Sequence, residues 1–188
     1  MNVVLLVLRL VPGLLFMGHG LQKLVPAKLS PRVLAANGPA GTAGGFRQMG
    51  LEPALPLALL TGAAELTGGF LLASGLLTPL ATALLAAVMT VAILVVHLRN
   101  GIWSSAGGLE FPLLMLTSAY VVSAIGPGTL SLDSAFGVSN WLGIHWSAGD
   151  PARAGAAVGI GAAAGVLSLV ASRLARIARH EPHIASAH

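Results

Sequence analysis

The sequence contains no cysteine and very few charged residues. Without cysteine the chain can form no disulfide, no thiol redox centre and no cysteine-ligated metal cluster of its own. Charged residues make up 9% of the 188 positions, whereas an ordinary soluble domain has roughly 25%. Because so few charges cannot cover a surface that faces water, the composition excludes a water-soluble protein.

Long apolar runs take the place of the missing charges, and hydrophobic residues make up 55% of the chain. A run of about 18 apolar residues is long enough to cross the hydrocarbon core as a helix. The first run lacks a basic leader and a cleavage motif, so we expect a retained span rather than a removed signal. The sequence predicts an all-α, multi-pass transmembrane helix bundle with spans at residues 3–25, 54–77, 80–98, 109–126 and 152–176.

The segments between these runs are more polar. Residues 26–53 are rich in proline and glycine and are too broken to span, and Trp141 and Trp146 lie in a mixed segment typical of the membrane interface. We therefore expect a four-helix membrane domain at residues 1–134, an interfacial loop at 135–151, an additional C-terminal transmembrane helix at 152–180 and a tail at 181–188.

Lysine and arginine are unevenly distributed between the two sets of helix ends. One set of ends holds Lys23, Lys28, Arg32, Arg47, Arg99, Arg173, Arg176 and Arg179. The other holds only Arg9 and Arg153. Cations concentrate on the cytoplasmic side and also attract anionic lipid. We expect the N-terminus outside and the C-terminus inside a bacterial inner membrane, and this placement explains the net charge of +4 without a nucleic acid partner.

Polar residues in the first span share one helix face, because they are three or four positions apart. The residues on this face are Arg9, Pro12, Phe16, His19 and Lys23. A lysine near a helix end can reach the headgroups, and a histidine one turn deeper can bond to a neighbouring helix. Their common face nevertheless indicates that this side of the helix meets other polar groups.

Three further spans carry an ionisable residue in the same half of the membrane: Glu65, His97 and Glu110. Glu65 is flanked at helical spacing by Gly62 and Gly69, which let another helix approach closely. Because an ionised group at that depth costs several kcal/mol unless it is paired, Glu65 must face the bundle interior. The set predicts a polar pocket, although a structural ion-pair network that fixes helix register explains the same pattern.

Metal-dependent interpretations have less support from the sequence. His19 and His97 can ligate a haem between spans, but there is no second histidine pair on the other side. A site of two histidines and two carboxylates lacks the Glu-x-x-His spacing of di-iron bundles. We expect neither a metal nor an intrinsic cofactor.

The fifth apolar segment carries a face of small residues. The stretch GAAAG occupies residues 161–165, and Ser168 and Ser172 continue the same face. Small residues favour close helix packing. We expect this face to contact another copy of the chain or a partner subunit rather than to line the pocket.

The sequence resembles the DoxX family of small bacterial membrane proteins, which is related to the DoxD-type subunit of thiosulfate:quinone oxidoreductase. The resemblance covers roughly residues 8–134 and includes HG-x-x-KL from His19 to Leu24, a glutamate before GG in the second span, and G-G-x-E ending at Glu110. It implies a four-helix membrane bundle. The fifth segment departs from that pattern and is a candidate docking helix.

The resemblance implies a membrane subunit of a redox complex, linked to quinone, that does not act alone. His19 and Lys23 are then candidates to polarise a quinone oxygen, and Glu65, His97 or Glu110 to relay a proton; Glu65, His19 and Lys23 are the candidate catalytic residues. An accessory or assembly subunit whose polar residues only lock its own helices is the alternative. A transporter is disfavoured because no inverted repeat is evident.

The charge distribution predicts a defined topology. Reporter fusions that are active only in the cytoplasm should be active after residues 40 and 188 and silent after residue 140. An active fusion at 140 combined with a silent fusion at 40 would reverse the predicted orientation.

Overall fold

A computed structural model of the chain describes residues 2–32, 34–138 and 149–180. All regular secondary structure in these residues is helical, which confirms the predicted all-α class. The seven α-helices are α1 (Asn2–Leu24), α2 (Gly38–Gln48), α3 (Ala54–Ser74), α4 (Thr78–Ala92), α5 (Glu110–Ile125), α6 (Leu132–Phe136) and α7 (Pro151–His180).

Within the described residues, four helical segments are long and apolar enough to cross a membrane: Asn2–Leu24, Ala54–Ser74, Thr78–Asn100 and Pro151–Ala178. The third of these is α4 with its continuation to Asn100. Helix α5 has 16 residues and is therefore about 24 Å long, less than the hydrocarbon core of about 30 Å. Apolar side chains such as Leu60, Leu114 and Leu167 are more than 60% exposed on the outside of the bundle, where they contact the lipid bilayer.

Helices α1 and α3 are antiparallel and touch through glycine. A Cβ added to Gly69 would lie 2.6 Å from the carbonyl oxygen of Gly13, and one added to Gly20 would lie 2.7 Å from that of Gly62. The glycines are seven positions apart on each helix, so they recur on the same face every two turns. These contacts leave no room for a side chain and fix the register of the two helices.

Helix α7 packs against α4 of the same chain. A Cβ on Gly165 would lie 2.6 Å from the carbonyl oxygen of Ala87, and one on Gly161 would clash with the carbonyl of Ala83. The expectation that this small-residue face meets another subunit is therefore wrong. The face is covered within the chain because α4 presents alanines opposite the glycines.

The segment between α1 and α3 does not span, but it is more ordered than the predicted loop because it contains α2. Ala43 of α2 packs with Ala54 and Ala58 at the start of α3. Between α2 and α3, the backbone N–H of Glu52 donates a hydrogen bond to the hydroxyl of Ser172 in α7 at 2.7 Å. The predicted interfacial residues Trp141 and Trp146 and the tail at 181–188 lie outside the described residues.

The close contact of α7 with α4 predicts a position-specific response to alanine. Replacing a helical glycine by alanine favours the helix by about 1 kcal/mol, so Gly159→Ala, where a Cβ meets nothing within 4 Å, should leave the melting temperature Tm unchanged or raise it. Gly165→Ala should lower Tm, because the overpacked contact costs about 1–3 kcal/mol. Thermal unfolding in detergent, with mass measured by light scattering, checks this. A loss of stability that appears only together with a loss of oligomers would contradict the intramolecular contact.

Candidate functional site

An ion pair joins α1 to α3 in the interior of the bundle. The Nζ atom of Lys23 lies 2.5 Å from Oε2 of Glu65, whose side chain is 5% exposed, compared with 21% for Lys23. Lys23 also donates to the backbone carbonyl of His19 at 3.3 Å. Pairing with the ammonium group offsets the cost of placing a carboxylate among apolar helices.

The glycine contacts described above allow this pair to form. A Cβ added to Gly62, one turn before Glu65, would lie 3.1 Å from the Cβ of Lys23 and 2.9 Å from the Cγ of Leu24. Because Gly62 has no side chain, the last turn of α1 lies directly on α3. The lysine therefore reaches the carboxylate on the neighbouring helix instead of the headgroups.

His19 lies one turn before Lys23 and connects α1 to α5. Its Nδ1 donates to the side-chain oxygen of Gln22 at 3.2 Å. Its ring meets the ring of Phe111 edge to face, with the centroids 6.2 Å apart. The imidazole is thus held by one polar contact and one aromatic contact.

His97 ends a π-helical turn, Ile93–His97, that continues α4. Its Nδ1 lies 2.6 Å from the carbonyl oxygen of Gly107. A carbonyl only accepts, so Nδ1 carries the hydrogen and Nε2 of the neutral ring is a hydrogen-bond acceptor. π-Turns inside helices are frequent at functional sites. Hydrophobic periodicity did not predict the π-turn at Ile93–His97.

These residues share one cavity of about 540 Å³. His19, Lys23, Glu65 and His97 all line it, and most of the remaining lining is apolar, with Phe16, Leu84, Val88 and Phe111 among its members. Phe46, Met49 and Leu51, which lie in or directly after α2, also line it. The cavity is an apolar space with a few polar groups on its wall, as in many small-molecule sites.

Two expectations about this cavity need correction. Glu110 does not line it: the carboxylate is exposed and accepts hydrogen bonds from the backbone N–H of Ser104 at 2.9 Å and from its hydroxyl at 2.5 Å. Helix α7 does line it, through Gly165, Ser168 and neighbouring residues. The first correction arises because the turn at Ser104 offers donors closer to Glu110. The second arises because α7 packs on α4 beside the cavity.

Comparisons with known proteins identify the family of the chain. The sequence profile of the DoxX family matches residues 4–98, about half of the chain. The chain belongs to the DoxX family. An uncharacterized membrane protein of Mycobacterium tuberculosis is 32% identical in an alignment of 137 residues. The alignment covers 67% of this chain and 77% of that protein. No solved structure matches the present chain.

The DoxX match ends at residue 98 and therefore includes His19, Lys23, Glu65 and His97, the ionisable residues of the cavity wall among the described residues. Glu110, α6 and α7 lie beyond it. In this DoxX protein no group of three or more histidine and acidic side chains is placed to hold a metal ion among the described residues.

A second polar cluster lies at the opposite end of α1, and we call this the Arg9 end of the bundle. Arg9 is 2% exposed. Its Nε donates to the carbonyl of Ala73 at 3.1 Å, and its two terminal nitrogens donate to the carbonyls of Pro127 and Leu130. The guanidinium thereby satisfies the carbonyl of Ala73 in the last turn of α3 and complements the dipole of that helix. Helical spacing in the sequence placed Arg9 on the polar face of α1, but it indicated no partner for the guanidinium.

Asp133 of α6 belongs to the same cluster, although it was not among the site residues predicted from the sequence. It is fully buried, its Oδ1 accepts from the backbone N–H of Leu77 at 3.2 Å, and its own N–H donates to the carbonyl of Gly75. Burial raises the pKa of Asp133, while the Leu77 hydrogen bond and the charge of Arg9 act in the opposite direction. One aspartate in a short polar stretch gives no sequence signal that separates it from a solvated loop residue.

The Lys23–Glu65 pair predicts non-additive mutations. Lys23→Met leaves a buried carboxylate unpaired and should destabilise the protein by about 3 kcal/mol. Lys23→Met/Glu65→Met should recover most of this loss, since no charge then remains buried. Unfolding in detergent measures both values, and Glu110→Gln serves as a control that removes an exposed carboxylate. A double variant as unstable as Lys23→Met would show that the pair is not the source of the effect.

Proposed function

We propose that this DoxX protein binds a quinone in the 540 Å³ cavity and serves as a subunit of a redox complex in the bacterial inner membrane. The observation that carries the proposal is the composition of the cavity wall, which is mainly apolar and whose ionisable residues, within the described chain, are a buried ion pair and two histidines. Its volume falls within the range of about 300–1,000 Å³ that is typical of small-molecule sites.

The polar groups suit an uncharged ligand with oxygen atoms. Lys23 and Glu65 together carry no net charge, so the wall does not select for an ion. The ammonium group of Lys23 has three hydrogens, of which the carboxylate and the carbonyl of His19 take two, and a third is left for a ligand carbonyl. The Nε2 of His97 can accept a hydrogen bond from a hydroxyl of the reduced ligand.

The same groups can hold or move protons. A bound quinone takes up two electrons and two protons when it is reduced to the quinol. Glu65 and His97 can carry a proton in the cavity, and the neutral imidazole of His97 can take one at Nε2. The electrons come from a partner subunit that carries a redox group, as the resemblance to DoxD-type proteins implies.

The apolar lining favours a ligand that is dissolved in the membrane. The aliphatic and aromatic side chains around the cavity come from α1, α3, α4, α5 and α7, and four of these five helices are long enough to span. A quinone tail is compatible with this surface, because a tail that enters from the lipid moves from one apolar environment into another. A soluble polar substrate would gain nothing from it.

Quinone binding by the purified chain in lipid nanodiscs tests the proposal. Decylubiquinone and a short-chain menaquinone should bind saturably, and tetradecane, which has no oxygen, should not produce the same stabilisation. Glu65→Gln should weaken quinone binding roughly tenfold, the effect of losing about 1.4 kcal/mol, because glutamine cannot counter the charge of Lys23. Glu110→Gln is the matched control and should bind as the wild type does.

Two results would contradict the proposal. One is equal stabilisation by tetradecane and by the quinones. The other is unchanged quinone binding in both Glu65→Gln and His97→Asn at equal protein level. If redox subunits co-purify with the chain while no quinone binds, the polar residues serve packing and the chain is an accessory subunit.

A further inference from the structure

The fully buried carboxylate of Asp133 is only partly satisfied by the protein. A carboxylate can accept about four hydrogen bonds, yet Oδ1 has the single bond from Leu77. The other oxygen, Oδ2, has no hydrogen-bond partner. Buried polar atoms are nearly always bonded, so an orphan such as Oδ2 marks a position where a water, an ion or another ligand supplies the missing contact.

Arg9 does not fill this position. Its Nε and both terminal nitrogens are directed to the backbone carbonyls of Ala73, Pro127 and Leu130. Lys23–Glu65 and Arg153–Asp150 are ion pairs within the described part of the chain, whereas Arg9 and Asp133 do not form an ion pair with each other. Arg9 reduces the cost of the buried negative charge from a distance but leaves Oδ2 without a contact.

Asp133 lines a second cavity, of about 440 Å³, at the Arg9 end of the bundle. Asn2, Thr129 and Ser134 also line it, and Asp133 is the charged residue among its described lining. Two more buried hydroxyls without a partner, those of Thr78 and Ser123, belong to the same end, since α4 begins at Thr78 and α5 ends two residues after Ser123. The side chains gathered here supply mainly oxygen atoms and one negative charge.

We propose that this second cavity is a binding site for a small monovalent cation, an alkali-metal ion or a small primary ammonium ion, held by Oδ2 of Asp133. Hard cations prefer carboxylate, carbonyl and hydroxyl oxygens, which are the groups present. A single carboxylate near the charge of Arg9 suits one positive charge and not two.

Cation binding here would stabilise the junction of three helices. Asp133 already joins α6 to the turn between α3 and α4 through Gly75 and Leu77. An ion on Oδ2 holds the carboxylate in its charged form and so maintains the bond to Leu77. The site is separate from the quinone cavity, and its test does not depend on quinone binding.

The test is thermal unfolding of the full chain in nanodiscs in sodium, potassium or methylammonium chloride, with choline chloride keeping the ionic strength constant. Choline is too large for a contact between its charge and Oδ2. Sodium, potassium or methylammonium should raise Tm saturably by at least about 2 °C relative to choline. A response to the metal ions alone or to methylammonium alone identifies which cation is bound.

Asp133→Asn should abolish this increase, and Asp150→Asn, which removes a half-exposed carboxylate paired with Arg153 from the same end, should keep it. If Asp133→Asn does not fold, Thr129→Val and line broadening of the sodium-23 resonance by the wild-type protein replace it. Equal Tm in all four salts, or an unchanged response in the Asp133 variant or in Thr129→Val, would overturn the cation site.

Discussion

The close contact between the backbones of α1 and α3 determines the rest of this structure. The pairs Arg9–Ala73, Gly13–Gly69 and Gly20–Gly62 follow one antiparallel register, because the two residue numbers have the same sum in each pair. A shift of either helix by one position would place a side chain where no space exists. The same register brings Lys23 to Glu65 at one end and Arg9 to the carbonyl of Ala73 in the last turn of α3 at the other, so glycine packing positions both polar clusters.

The sequence indicated a cation partner for Glu65 because its signals are local. His19 and Lys23 are one turn apart, and the glycines around Glu65 indicate a closely packed helix face. A buried glutamate needs a partner, which restricted its candidates to the few cations at the same depth. These arguments use spacing and the cost of burial, and they hold before the three-dimensional arrangement is known.

The remaining features depend on contacts between distant segments. In the sequence, Gly161 and Gly165 are equally compatible with a contact to another chain and with a contact inside this chain. The packing of α7 on α4 shows that the contact is inside the chain. The turn of Glu110 toward Ser104 and the π-turn before His97 reflect local backbone geometry that side-chain patterns do not encode. Asp133 can be recognised as part of a polar cluster only from its position near Arg9, which is more than a hundred residues away in the sequence.

The glycine contact also separates the two ends of the protein electrically. Between Gly13 and Gly20 the α1–α3 interface is occupied by backbone and by side chains such as Phe16, and it offers no polar route between the clusters. Where water and mobile charge are excluded, a transmembrane voltage falls over a short distance. A charge at the Arg9 end and a charge at Glu65 therefore lie on opposite sides of this apolar interface, and moving a charge across a membrane requires work of about 2.3 kcal/mol per 100 mV.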